Sequence, residues 1–341
     1  MPAAPSPASF RMDASPSPAI ADRRAVHALR GQTMGTTWSV QCVGAADTDL
    51  HALHAAVQQR LDGIVAQMST WEAGSDISRY NRGAAGAWFA LPDDFLHVLR
   101  AALDIARASG GAYDPTVSPL VAAWGFGAHA AARTAPDPAR IADARSRVGW
   151  QRVALDAAQA RAQQPGGTEL DLSAIAKGYG VDAVAALLRR RGMPGALVEV
   201  GGELYGYGRK PDGQPWRVLV ESSPDEEADS EGLDPRVLAL DGIAVATSGD
   251  RWHAYEQDGE RYSHTLDPRT GRPVPPSAAA VTVVAGDAMH ADGWATALTV
   301  MGAEAGHAFA LEHGIAARFL IRTPRGLQET MTPTFEQHLS A

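Results

Sequence analysis

The stretch Glu169–Gly202, ELDLSAIAKGYGVDAVAALLRRRGMPGALVEVGG, decides how the rest of the chain is read. A short apolar run leads into an alanine-rich segment with helical spacing. A second apolar run, ALVEV, then ends in two glycines, which gives strand, helix, strand. Asp171, Lys177 and Asp182 crowd the first junction. Charges at a strand-to-helix junction, beside glycines that let backbone approach closely, suit an anionic, nucleotide-like ligand. A capped helix followed by a tight turn accounts for the same residues without any ligand. The reading therefore turns on whether other segments carry matching chemistry.

Composition narrows the classes. With 341 residues, 45% hydrophobic and 20% charged, the chain can bury a large core as one big domain or two modest ones. A net charge of −9 and a pI near 5.6 leave no global basic face for a nucleic acid backbone. The single cysteine, Cys42, excludes an internal disulfide and a cysteine-based zinc site, and its alternating surroundings suggest a buried structural thiol. No run approaches the roughly 20 apolar residues of a membrane helix. Residues 1–28 hold five prolines without a basic start or apolar core. They read as a flexible leader and not a secretion signal, so the chain as written is expected in the cytoplasm.

The expected main domain spans 29–325, with 326–341 as a tail. Residues 31–43, GQTMGTTWSVQCV, alternate like a strand, and 49–67 have helical spacing. Residues 92–109 read as a helix with an acidic first turn, and 138–165 as a short helical stretch with a polar connection. Strands are expected at 215–221, 236–247, 279–285 and 316–322, and helices at 291–302 and 303–313. The segment SSPDEEADSEGLDP, with six carboxylates and no hydrophobic pattern, reads as a solvated loop. Strands and helices mix without strict alternation, which favours α+β over a doubly wound sheet.

Four further segments carry chemistry. Thr247, Ser248 and Gly249 suggest a nest able to take phosphate oxygens. His264, Asp267 and Arg269 crowd a turn in which a histidine near neutrality could take a proton from a hydroxyl. Asp292 and Thr296 share one helix face, a hard-oxygen pair suited to Mg²⁺, although taken alone a helix cap at Asp292 is the commoner explanation. Asp114 and Thr116 stand beside prolines. Met34, Trp71, Trp124 and Phe126 could bracket a ring system or fill the core.

Taken in order, MGTTWSV, MSTWEAGSDISRYN, YDPTVSPLVAAWGFG, DLSAIAKGYGVDAVAALL with VEVGGELYGYG, VATSGDRWHAYEQDGERYSHTLDPRTGRPV and ADGWATALTVMG resemble the ApbE family, the FAD:protein FMN transferases. The resemblance runs from about residue 31 to 322. It implies an α+β, T-fold-related single domain of two lobes with FAD in the cleft between them. It also implies Mg²⁺-dependent transfer of FMN from FAD, as substrate, to a threonine hydroxyl of an acceptor flavoprotein, with release of AMP. By the same resemblance the metal site is Asp292 and Thr296 with the backbone oxygen of Ala174. Met34, Trp71, Ala112, Tyr113, Asp114, Asp171 and Lys177 match FAD-binding positions. Thr247, Ser248 and Gly249 face the pyrophosphate, and His264 is both an FAD contact and the base for the acceptor hydroxyl. Tyrosine is commoner in the family at Trp71, and a smaller residue at Trp294. Many members are exported lipoproteins, so a periplasmic lipoprotein is the alternative location if the true start lies upstream. Alternative activities are FAD hydrolysis to FMN and AMP, a non-catalytic FAD carrier, and serine acyl transfer on Ser173 and Lys177.

Overall fold

The computed structural model describes residues 24–128, 133–220, 233, 236–249, 254–275 and 278–340. Eight strands form its main sheet: Arg24–Thr33 (β1), Thr36–Ala45 (β2), Ala196–Val200 (β3), Glu203–Tyr207 (β4), Ile243–Gly249 (β5), Ala278–Ala285 (β6), Ala316–Thr323 (β7) and Gly326–Met331 (β8). Their order across the sheet is their order in the chain, and every neighbour is antiparallel. The sheet is thus a meander, and most of the other described elements are inserted between its strands. Between β2 and β3 run the helices Leu50–Met68 (α1), Asp93–Ala108 (α2) and Ser173–Arg190 (α3), and between β6 and β7 runs Ala288–Met301 (α4).

The two faces of the sheet are covered differently. Trp38, Val40, Cys42, Ala244, Ala246 and Val283 face the helices, whereas Val43, Val245 and Val284 face a second core with Trp216, Leu238, Leu240 and Phe335. Period-two alternation sorts these neighbours onto opposite sides. Helix α1 starts where the Asp49 carboxylate accepts from Ala52 N at 3.0 Å, and it buries Leu53, Val57, Leu61, Ile64 and Met68 along one face. Each such side chain contributes roughly 1.5–3 kcal/mol by leaving water. Burial also lifts the Cys42 thiol to about 11, in keeping with a structural role.

Several boundaries differ from expectation. Residues 31–43 are not one strand: Met34 and Gly35 have φ of 51° and 71° and turn β1 back onto β2. Alternation alone hides a two-residue turn of this kind. Pairing with β2 extends β1 back to Arg24, so the leader expected over 1–28 overlaps the sheet, and residues 1–23 lie outside the described ones. The expected tail supplies β8 on the sheet edge and Phe335 in the second core. Residues 236–247 break at Gly242 (φ 79°) into the strand Arg236–Leu240 and β5. The acidic loop 222–235, apart from Leu233, lies outside the described residues.

Candidate functional site

Helices α3 and α4 meet through their backbones. One carboxylate oxygen of Asp182 accepts from Ala288 N and the other from Met289 N, both at 2.9 Å, which clamps the first turn of α4. One turn earlier in α3, the Gly178 amide donates to Asp292 Oδ2 at 3.1 Å, one turn further into α4. The helices therefore run antiparallel, with 182 against 288 and 178 against 292. Only glycine fits at 178, because an added Cβ would lie 2.2 Å from the Ala288 carbonyl oxygen and 2.9 Å from Asp292 Cβ. Ala174, one turn earlier again, departs from helical geometry (φ −89°, ψ 16°), which kinks α3 at its start.

A charged triad of two buried carboxylates and the partly buried Lys177 extends from this seam. Asp292 is 5% exposed and Glu203, on β4, 2%. The Lys177 ammonium is ion-paired with Glu203 Oε1 and lies 4.0 Å from Asp292 Oδ1. Burial alone would lower the lysine pKa, but Asp292 and Glu203 together hold it above the ordinary lysine range. Burial lifts the Asp292 carboxyl, against the pull of Lys177 and the Gly178 amide. The Tyr113 hydroxyl is buried with no hydrogen-bond partner among the described residues. Burial raises its pKa, and the charges of Asp292, Asp171 and Asp114 add to the effect. Among the described residues no three or more His, Cys, Asp or Glu side chains group as a metal cage. A cation at Asp292 would therefore draw on carbonyl and hydroxyl oxygens, as a hard ion does.

The remaining expected residues fall into place around this centre. Thr296 is half-buried on α4, one turn beyond Asp292. The Met34 methyl approaches α3, 3.4 Å from where a Gly180 Cβ would stand. Trp71 is 71% exposed on its loop, free to present a ring face. The Asp171 amide donates to Pro115 O at 2.7 Å, which ties the 112–116 segment to the mouth of α3, and its carboxylate accepts from Ser173 N at 2.8 Å. Asp114 is engaged by protein donors: Thr116 N and Oγ1 at 2.8 and 2.6 Å on one oxygen, and Trp150 N at 3.0 Å on the other. These bonds tie the 114–116 segment to the turn at Trp150.

One reading changes, and two open alternatives are decided. Thr247, Ser248 and Gly249 are not a turn: they continue β5, paired with Thr282, Val281 and Ala280 of β6. Turn-forming residue types are here overridden by sheet pairing. Trp124 and Phe126 are core residues, packed with Tyr255, Tyr262 and Leu266. A serine nucleophile activated by Lys177 is excluded, because the lysine holds its proton between two carboxylates. The His264 ring stands edge-on to Phe126, centroids 6.4 Å apart, in the aromatic cluster that joins Tyr255 and Tyr262 to Trp124. Two cavities of about 370 and 540 Å³, one lined by Arg82, Arg147 and Glu169 and the other by His290 and Trp294, include none of Asp292, Lys177 and Glu203.

Sequence reasoning missed Glu203. Its only signal was a charged residue entering a strand directly after two glycines.

The comparisons agree with this architecture. The model of the ApbE family matches residues 34–319. The FAD:protein FMN transferase of Vibrio cholerae is 37% identical over 92% of this chain and 92% of that protein, and the protein of the same name from Klebsiella pneumoniae is 34% identical over 91% and 89%. The apo crystal structure of the Pseudomonas stutzeri flavinyl transferase ApbE superposes with a TM-score of 0.85 at 38% identity, covering 93% of this chain and 98% of that one. A family model matched over residues 34–319, relatives at 34–37% identity and a superposition over nine-tenths of the chain lead to one statement: this chain belongs to the ApbE family.

Proposed function

We propose that the protein transfers FMN from FAD to a threonine hydroxyl of an acceptor flavoprotein and releases AMP. Its relatives are named for FMN transfer from FAD to protein. The step forms a bond from the acceptor oxygen to the FMN phosphorus and breaks the bond from that phosphorus to the AMP oxygen. The acceptor loses its hydroxyl proton, and AMP carries away the bridging oxygen.

The observation that carries the reading is the register of the seam. With Asp182 against Ala288 and Gly178 against Asp292, one more turn sets the kinked Ala174 across from Thr296. A carbonyl, a carboxylate and a hydroxyl thereby lie within two adjacent turns of the seam, and these are the oxygen types that Mg²⁺ takes. Bound there, Mg²⁺ would neutralise charge developing on the pyrophosphate. The chain's own residues do the rest. Lys177 adds a fixed positive charge beside Asp292. Met34 and Trp71 offer apolar faces for the flavin nucleotide, and the 112–114 backbone and Asp171 border the same mouth. His264 is the base assigned to the acceptor hydroxyl.

The test is incubation with FAD and Mg²⁺, with and without an acceptor domain, followed by mass spectrometry of the acceptor and assay of AMP. Acceptor mass raised by one FMN, at a threonine, is the expected result. AMP without any acceptor would mean hydrolysis, and bound flavin with no AMP under any condition would mean a carrier.

A further inference from the structure

We propose that Glu203 is a positioning residue that keeps the Lys177 ammonium off Asp292, leaving that carboxylate free to take a divalent cation. The inference rests on the reading that Asp292 binds the cation. Lys177 has two carboxylates within reach: it contacts Glu203 Oε1 and stands 4.0 Å from Asp292 Oδ1. The two carboxylates lie where water screens little, Glu203 and Asp292 being 2% and 5% exposed, while the Lys177 side chain between them is 29% exposed. A buried ammonium without a counter-ion is costly. With Glu203 neutralised, Lys177 gains by closing on Asp292 and competing there with the incoming cation.

The fold holds this arrangement from several sides. Glu203 is fixed on β4 opposite Val200 in the β3–β4 hairpin. Gly201, at φ +60°, lets the lysine stem pass, because a Cβ there would be 3.1 Å from Lys177 Cδ and 2.8 Å from Thr36 Cγ2. The Gly178 amide holds the other Asp292 oxygen. Glu203 uses one oxygen on the lysine, and its Oε2 has no hydrogen-bond partner among the described residues. That second oxygen supplies a competing idea, direct contact with a cation-bound water, and the experiment separates the two.

The experiment titrates Mn²⁺ into the FAD-free protein and counts free ion by electron paramagnetic resonance. It compares wild type, Glu203→Gln, Lys177→Met, the double variant and Asp292→Asn, with circular dichroism melts to confirm folding. Glu203→Gln is expected to weaken Mn²⁺ binding about 10- to 100-fold, the usual effect of losing a group that supports a metal ligand. Lys177→Met should bind Mn²⁺ at least as tightly as wild type. The double variant should return to within about threefold of wild type, because the two substitutions act through one interaction. Unchanged affinity in Glu203→Gln overturns the proposal, and so does a double variant as weak as the single, which would place Glu203 directly on the cation. Should Glu203→Gln fail to fold, Glu203→Asp, one methylene short of the lysine, gives the same test through its reversal by Lys177→Met. If Asp292→Asn binds Mn²⁺ like wild type, or wild type binds none, the cation site itself falls, an outcome distinct from a failure at Glu203 alone.

Discussion

Between α3 and α4 the backbone makes the contacts, with amides of Gly178, Ala288 and Met289 donating to carboxylates across a gap that admits no side chain at 178. Around His264 the contacts are ring to ring, Phe126 with Tyr255, Tyr255 with Tyr262 and Tyr262 with Trp124, at centroid distances of 5.3 Å. The first region is fixed by hydrogen bonds of defined length and direction. The second is held by apolar area and loose angular preference, which tolerate adjustment. A cation needs ligands placed to a few tenths of an ångström. An acceptor protein arriving from solution needs a base that can settle against it. Damage to the seam should therefore reach every step that uses the cation, and damage near His264 only the step that uses the acceptor.

The largest effect tests the first half of that contrast. Asp292→Asn should lower FAD-dependent AMP release by about three to four decades, because a cation on the pyrophosphate accounts for several kcal/mol of barrier. Steady-state AMP assays over a range of Mg²⁺ check it, and activity within tenfold of wild type would remove Asp292 from the metal site. His264→Ala comes next, with FMN transfer down by about 10²-fold or more, the usual scale for losing a positioned base. FAD affinity, followed by flavin fluorescence, should fall by much less than the transfer rate. An affinity loss matching the rate loss would make His264 a binding residue and erase the contrast.

How much of this was legible follows the same division. Asp292 and Thr296 could be paired because helical spacing puts i and i+4 on one face, and the meander's apolar strands alternate visibly. The kink at Ala174 was not readable, since nothing in LSAIAK marks it. Glu203 was missed because its partner Lys177 is 26 residues away in sequence. Thr247–Gly249 misled because its residue types favour turns, while the pairing with β6 that makes it a strand is a long-range fact. Met34 at positive φ escaped notice because a two-residue turn does not interrupt alternation. Local chemistry was visible in the chain, and the meetings of distant segments were not.

Two glycine substitutions sharpen the account of the seam. Gly178→Ala puts a methyl 2.2 Å from the Ala288 carbonyl oxygen, so α3 and α4 must part. It should destabilise the fold by about 1–3 kcal/mol despite alanine's better helix propensity, and weaken Mg²⁺ dependence together with stability. Gly63, inside α1, has nothing within 4 Å of its would-be Cβ. There the same change should stabilise by about 0.5–1 kcal/mol and leave turnover unchanged. Denaturant melts with parallel activity assays decide, and equal responses at 178 and 63 would show that the close approach carries no weight.

The smallest effect concerns the clamp at Asp182. Burial lifts this carboxyl from 3.8 to about 7, against the two amides of α4, with the charge of Asp287 adding to the rise and His290 opposing it. A group whose folded pKa is raised holds its proton more tightly when folded. Its contribution is therefore complete below about pH 4 and is lost as pH climbs through about 7. His290, raised by its hydrogen bond to Asp287, changes stability in the same direction at higher pH, and Asp287, held low by the same bond despite its burial, matters only in acid. Subtracting Asp182→Asn, which keeps both neighbours but cannot ionise at 182, isolates the one group. Between pH 4.5 and 7.5 the unfolding free energy of wild type should fall relative to that variant, by on the order of 1 kcal/mol. A constant difference across the window would mean that the carboxylate is already charged at pH 4.5 and that α4's amides outweigh burial, making the clamp an ionic cap and the seam stiffer still.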